Sequence, residues 1–145
     1  MSEAKRLTQA LDIALENRIA RIPDALLEIE RFLEKQGINA SAKFDFAISI
    51  EEVLTNIVSY AYKDSARHEI SVSLTVEPSA VICVLIDDGV PFNPLDIPPP
   101  DLDAALEDRE VGGLGIHFVR NMMQDVVYKR RDDRNILRLS RKVDP

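Results

Sequence analysis

Cysteine is nearly absent from this chain. Of 145 residues only Cys83 carries a thiol, so no intrachain disulfide can form, which fits a reducing compartment such as the cytoplasm. Histidine is also scarce: His68, His117 and one cysteine do not make up the ligand set of a structural zinc site. There is no long basic run, and the net charge of −7 argues against a nucleic-acid-binding surface. No apolar stretch approaches the roughly 20 residues that span a bilayer, and the N-terminus lacks the apolar core of a signal peptide. Internal repeats are absent too. With 46% hydrophobic and 30% charged residues, the chain reads as one soluble, cytoplasmic domain covering residues 1–145.

The strongest periodic signal lies between Phe44 and Tyr62. Phe44, Ala47, Ile48, Val53, Leu54, Ile57 and Ala61 recur at three-and-four spacing, which predicts an amphipathic helix, with Ser41 as its cap. Glu52 and Asn56 interrupt the edge of the apolar face. Four residues apart, they lie one turn from each other and can converge on one ligand. Taken alone the pair reads as a solvated edge; a carboxylate beside an amide oxygen also suits Mg²⁺. Glu51 competes with Glu52, but it points roughly 100° away around the helix.

Upstream, Arg6–Glu16 alternates as a strand. Asn17 is placed to cap a helix marked by Ile22, Leu26, Ile29 and Leu33, which ends at Gly37. Downstream, His68–Val76 and Val81–Ile86 read as a hairpin about Glu77-Pro78-Ser79, with Cys83 a buried small hydrophobe. A lid-like loop rich in glycine, proline and acids follows, over about residues 88–112. Leu114–Met123 then reads as a helix. Val126–Arg130 and Ile136–Arg141 form a closing hairpin around Asp132-Asp133-Arg134-Asn135. This order predicts an α/β two-layer sandwich with a mixed, mostly antiparallel sheet and helices on one face.

Two further features carry chemistry. Asp87-Asp88-Gly89 places a carboxylate at a strand end, where it can accept from an exocyclic amine such as that of adenine, with Gly89 leaving room for a flat ring. On its own it is also a common turn signal. Gly112-Gly113-Leu114-Gly115 opens a helix, where amides approach phosphate oxygens and the helix dipole favours them. No Lys-Ser or Lys-Thr follows, so it is not a Walker A loop.

Together, in this order and on these elements, the three motifs resemble the nucleotide site of the GHKL (Bergerat-type) ATPase superfamily. E-E-V-L-T-N-I-V-S-Y-A-Y, D-D-G-V-P-F-N-P and G-G-L-G-I-H-F-V-R-N-M-M-Q-D-V-V-Y are similar, within it, to the bacterial anti-sigma-factor serine/threonine kinases. The resemblance implies ATP and Mg²⁺ as cofactors, with Glu52 activating the attacking hydroxyl and Asn56 holding the metal. It implies that Asp87 and Gly89 bind adenine, and that Gly113, Leu114 and Gly115 bind phosphates. It also implies a homodimer that phosphorylates a STAS-type anti-anti-sigma protein and holds a sigma factor or another effector. The other reading is a nucleotide-binding interaction module that sequesters a partner without kinase activity. Tyr60 stands where many relatives have His, and Asn93 where many have Asp. Arg109 and Arg120 are candidate phosphate contacts, though surface charge explains both. His117 reads as an edge residue.

Overall fold

A computed structural model of the chain describes residues 8–96 and 113–143. The first strand, β1 (Gln9–Glu16), leads through one 3-10 turn (Ile19–Arg21) into helix α1 (Ile22–Lys35). Asn17 does not cap that helix. Its amide donates to the His68 carbonyl and its Oδ1 accepts from the His68 amide, each at 3.0 Å, so it extends the pairing of β1 instead. Pro23 falls in the first turn of α1, where its missing N–H leaves no bond unmade. Ile22, Ala25, Ile29 and Leu33 form the buried stripe. The helix stops at Gly37, whose φ of 77° suits glycine, while the amides of Gly37 and Ile38 donate to Glu34 and Leu33.

Helix α2 (Ala40–Tyr60) begins one turn earlier than its apolar pattern suggested. Its cap is Asn39, whose Oδ1 accepts from the Ala42 amide at 2.8 Å; Ser41 lies inside the first turn. Phe44 is 59% exposed, whereas Phe46, Ile50, Val53 and Leu54 are wholly buried. The helix touches α1 on one side and α3 (Gly113–Met122) on the other, so it is the central rod of the helical layer.

The other layer is a five-stranded sheet. Strands β2 (Glu69–Val76) and β3 (Ala80–Asp87) form the expected hairpin, and β4 (Asp125–Arg131) and β5 (Arg134–Lys142) form the second. The sheet order is β1-β2-β3-β5-β4, and every pairing is antiparallel rather than mixed. Ile70, Val72, Leu74 and Val76 of β2 and Val81, Cys83 and Leu85 of β3 alternate into the core beneath the three helices. Burial pushes the Cys83 thiol pKa upward and leaves it inert. The β4–β5 turn is only Asp132-Asp133, with φ of 53° and 61°, the pair of left-handed residues that matches hairpin twist. Asn135 is therefore in the strand and not in the turn, and it pairs with Asp87 across the β3–β5 junction.

The Pro94–Asp96 segment makes one 3-10 turn. Most of the lid-like loop expected over 88–112 falls outside the described residues.

Candidate nucleotide site

Four pieces of chain carry the candidate residues, and the loop after β3 lies against the end of α2, where the Val90 amide donates to the Ala61 carbonyl. The first is the middle of α2. Asn56 is buried at 2% exposure, and its Nδ2 donates to Glu52 Oε2 at 3.0 Å. One N–H of the amide is engaged with Glu52, and the amide oxygen is the atom Asn56 can offer to a cation. Partial burial raises the Glu52 carboxyl above its ordinary range; the Asn56 bond opposes this and the Glu51 charge adds to it. Glu51 itself is exposed, as the helical angle required.

The second piece is the first turn of α3. A Cβ on Gly115 would collide with the Glu52 carboxylate, so the helix start rests directly on that side chain. The glycine motif and the Glu-x-x-x-Asn motif are thus brought together, through Gly115 and Glu52, 63 residues apart in the chain. Gly113 and Leu114 lie in the same turn of α3. A side chain at 115 would oblige the flexible end of Glu52 to move.

The end of β3 forms the third piece. Asp87 is 3% exposed, and its Oδ1 accepts from the Gly89 amide at 2.9 Å and from Asn135 Nδ2 at 2.8 Å. Desolvation raises its pKa, while the two bonds oppose the rise. Gly89 has a different reason from the one expected. A Cβ there would run into the Ala61 carbonyl, and the next amide, of Val90, donates to that carbonyl at 2.7 Å. The glycine lets this loop lie against the end of α2, and space for a ring is not what demands it.

The fourth piece was not foreseen. Asn135 is 3% exposed and sits at the start of β5. Its Nδ2 donates to Asp87 and to the Val90 carbonyl, both at 2.8 Å. Its Oδ1 accepts from the Phe92 amide at 3.1 Å, Tyr128 Oη at 2.5 Å and Arg130 at 3.2 Å. Arg130 also donates to the Gly89 carbonyl at 2.8 Å. One available signal pointed there: Asn135 occupies the inward phase of a strand whose next inward residues are Leu137 and Leu139. A polar residue in that phase asks for buried partners.

Other candidates take lesser places. Arg120 donates to the Leu95 carbonyl at 2.7 Å, which ties α3 to the 3-10 turn. Asn93 closes a local turn by accepting from the Leu95 amide at 2.9 Å. Tyr60 lies on the α2 face one turn beyond Asn56, its ring tilted against Phe92 at 5.8 Å. His117 is exposed, and Arg109 lies outside the described residues. Beside Asp88, a cleft of about 430 Å³ is lined by Tyr62, His68 and Arg130 among others. The His68 ring stacks on Tyr62 and reaches Asp64 at 2.9 Å and Asp88 at 3.1 Å.

Among the described residues, no group of three or more His, Cys, Asp or Glu side chains could hold a metal alone. A magnesium ion does not need one, because it keeps waters and takes the remaining ligands from substrate phosphates. The hard oxygens of Asn56 and Glu52 fit that donor set.

Comparison with known proteins identifies the family. The family described as "Histidine kinase-like ATPase domain" matches residues 15–141, and the chain belongs to it. The serine/threonine-protein kinase BtrW of Bordetella bronchiseptica is 30% identical over 117 residues, covering 81% of this chain and 82% of that protein. The serine-protein kinase RsbW of Listeria monocytogenes is 27% identical over 104 residues, covering 69% of this chain and 66% of that one. The crystal structure of RsbU and RsbW domains from a Mycobacterium tuberculosis protein shares the fold, with a TM-score of 0.65 at 17% identity. That match covers 94% of this chain and 33% of the other. The BtrW and RsbW relatives are serine/threonine-protein and serine-protein kinases, and this chain shares their ATPase-domain family. No helix among the described residues is long and apolar enough to cross a membrane.

Proposed function

We propose that residues 1–145 act as one domain that transfers the γ-phosphoryl group of ATP to a serine or threonine of a STAS-type anti-anti-sigma protein. The same domain, as a homodimer in the cytoplasm, would hold a sigma factor or comparable effector until that competitor displaces it. The observation that carries the reading is the seating of Gly115 on Glu52, beside Asn56: a base, a metal ligand and a helix N-terminus share one corner.

The geometry supports a role for each residue. Asp87 Oδ1 is engaged by Gly89 and Asn135, so Oδ2 is the oxygen left to accept from the adenine amine. Asn135 fixes that carboxylate and keeps it from rotating. Amides at the start of α3, around Gly113, Leu114 and Gly115, face the phosphates. The substrate hydroxyl oxygen forms a bond to the γ-phosphorus as the bond to the bridging oxygen breaks. ADP leaves, and Glu52 takes the hydroxyl proton. Its raised pKa makes Glu52 a better proton acceptor than an ordinary carboxylate. Mg²⁺, held through Asn56, would neutralise charge on the phosphate oxygens. Phosphate added to the competitor brings about −2 charge to its interface and releases it.

Calorimetric titration with ATP, with and without Mg²⁺, tests the site. Magnesium-dependent binding that Asn56→Ala abolishes supports the reading. Absence of binding at millimolar ATP would sink it and leave a partner-sequestering module without nucleotide chemistry.

A further inference from the structure

His68 is held through its backbone, its ring face and both ring nitrogens. It directly precedes β2, and its backbone is fixed to the end of β1: its amide donates to Asn17 Oδ1 and its carbonyl accepts from the Asn17 amide, each at 3.0 Å. The ring stacks on Tyr62 with centroids 4.7 Å apart and planes 28° apart. Nε2 lies 2.9 Å from Asp64 Oδ1, and Nδ1 lies 3.1 and 3.2 Å from the two carboxylate oxygens of Asp88. Asp64 is itself anchored, since its Oδ1 accepts from the Ala66 amide at 3.0 Å. A neutral imidazole has one N–H to donate, and an ionised carboxylate offers acceptors alone. Carboxylates on both ring nitrogens are therefore satisfied together only by the imidazolium form.

Asp88 stands between Asp87 and Gly89, so the histidine grips the loop that carries the buried acid. Other ties hold that 87–90 loop as well: Asn135 on Asp87, Arg130 on the Gly89 carbonyl at 2.8 Å, and the Val90 amide on Ala61 at 2.7 Å. The Asp88 tie differs in using a histidine, whose charge changes in the physiological range. Around the ring, Asp64 and Tyr62 come from the segment after α2 and Asp88 from the end of β3, with Lys63 and Arg130 lining the same cleft. Beside it in sequence, Arg67 reaches Glu16 of β1 at 3.9 Å and Glu69 is exposed. Burial, with the charges of Asp87, Asp88 and Asp64, pushes the Tyr62 phenol pKa upward, away from the histidine range. The bonds to Asp64 and Asp88 raise the His68 pKa, and the same bond lowers that of Asp64.

We infer that His68 is a positioning residue of the nucleotide site: as the imidazolium it ties Asp88 to Asp64 and holds the 87–90 loop in the shape that receives the base. This role rests on the adenine contact proposed for Asp87. His68 touches no reacting atom and acts through Asp88, whose backbone carries Asp87 on one side and Gly89 on the other. The partners favour the charged ring, so the tie is complete below the ordinary histidine range and is lost as pH rises through the raised value. One carboxylate then faces a nitrogen lone pair, and Asp88 is released. The remaining ties keep the loop near its place, which makes the effect one of affinity and not of folding. An exposed charged pair sets its scale, a change of about two- to fivefold in ATP affinity. By reciprocity ATP should raise the His68 pKa further, by about 0.3–0.7 for that factor.

NMR titration of the full chain reads His68 directly, with His117, the other histidine and an exposed one, as the reference. The His68 ring should titrate above His117 in the free protein, and higher again with ATP and Mg²⁺ present. Calorimetry then compares ATP affinity in wild type and His68→Gln at each pH, a ratio that removes the protonation of ATP and of Asp87. The ratio should be about two to five at pH 5.5 and approach one at pH 9. His68→Arg, with a fixed charge and a plane that stacks on Tyr62, should bind ATP as tightly at pH 9 as at pH 5.5 by the same measure. A role in the fold alone would lower the stability of His68→Gln and leave the ratio flat. A ring that titrates with His117, or a flat ratio while ATP binds, would overturn the inference. Wild type that binds no ATP at any pH would count against the nucleotide reading, and the tie is then read by amide exchange corrected for intrinsic rate. Exchange at Val90 that quickens through the His68 titration in wild type and not in His68→Gln supports the tie; exchange indifferent to that titration overturns it.

Discussion

Asn135 Nδ2 lies 2.8 Å from Asp87 Oδ1, and both side chains are 3% exposed. This bond closes the sheet end across β3 and β5 and holds the acid that the nucleotide reading depends on. Asn135→Leu keeps the volume and removes both halves of the amide. The Val90 carbonyl, the Phe92 amide and Tyr128 Oη would then lose their partner. Buried polar groups left unpaired cost roughly 1–3 kcal/mol each where water cannot reach them. We expect a loss of about 2–3 kcal/mol in denaturant melts, partial access of water to Val90 and Phe92 limiting the total. ATP affinity should fall with it. Unchanged stability would mean the hub is not a structural tie.

Asp87→Asn separates binding from stability. The amide keeps an acceptor for Gly89 and Asn135 but can turn a donor toward the adenine amine, so ATP affinity should fall roughly ten- to a hundredfold, the loss of one buried hydrogen bond. Stability should move the other way. The folded pKa of Asp87 is raised, so the native state binds its proton more readily than the unfolded chain does. Its favourable contribution is complete below the ordinary carboxylate range and is lost as pH rises through the raised value. At neutral pH the buried charge is a liability that Asn removes. Melts at pH 4 and pH 7.5 should show the variant equal to or above wild type at neutral pH, with that advantage shrinking toward pH 4. A variant clearly less stable at pH 7.5 would contradict this.

The residues that were legible in advance share one trait: their partners are close in sequence. Glu52 and Asn56 are one turn apart, and the spacing alone put them in contact. Alternation in β2 and β3 was enough to assign the buried side of each strand. The failures share the opposite trait. Asn17 resembles a helix cap until His68, 51 residues on, takes both its backbone and its side chain. Asn135 resembles a turn residue until Asp87, 48 residues earlier, is seen beside it. Gly89 and Gly115 were readable as glycines that something needed. What needed them, Ala61 and Glu52, depends on how α2 packs over the sheet end and against α3.

Glu52 is tested by rate and by pH. Removing a positioned proton acceptor costs roughly 10²–10⁴ in rate, so Glu52→Gln should lose phosphoryl transfer by that order while ATP still binds. The folded pKa of Glu52 is raised by burial, so the carboxyl becomes protonated, and useless as a base, at a higher pH than usual. The acid limb of the transfer rate should therefore lie above the ordinary carboxylate range in wild type. A limb inside that range, or transfer retained in Glu52→Gln, would remove the base assignment.

Two glycine substitutions distinguish contacts that can yield from contacts that cannot. Gly115→Ala drives a methyl group into the Glu52 carboxylate, which is a side chain. The end of Glu52 can swing aside, so the cost should fall at or below the lower end of the about 1–3 kcal/mol that overpacking a core incurs. Shortening the obstacle should recover most of it, so Gly115→Ala in a Glu52→Ala background should cost much less than in wild type. The difference is the coupling energy of the pair, the quantity a double-mutant cycle isolates. Gly89→Ala meets the carbonyl of Ala61, which is backbone, and the same carbonyl already accepts from Val90. No side-chain change at 61 can move it, and the loop must leave the end of α2 instead. Gly89→Ala should thus destabilise whatever stands at 61, with loss of the 89–90 tether seen as faster amide exchange at Val90. Equal cost of Gly115→Ala in both backgrounds would show that α3 does not rest on Glu52, and would part the phosphate-facing helix from the base it is read as serving.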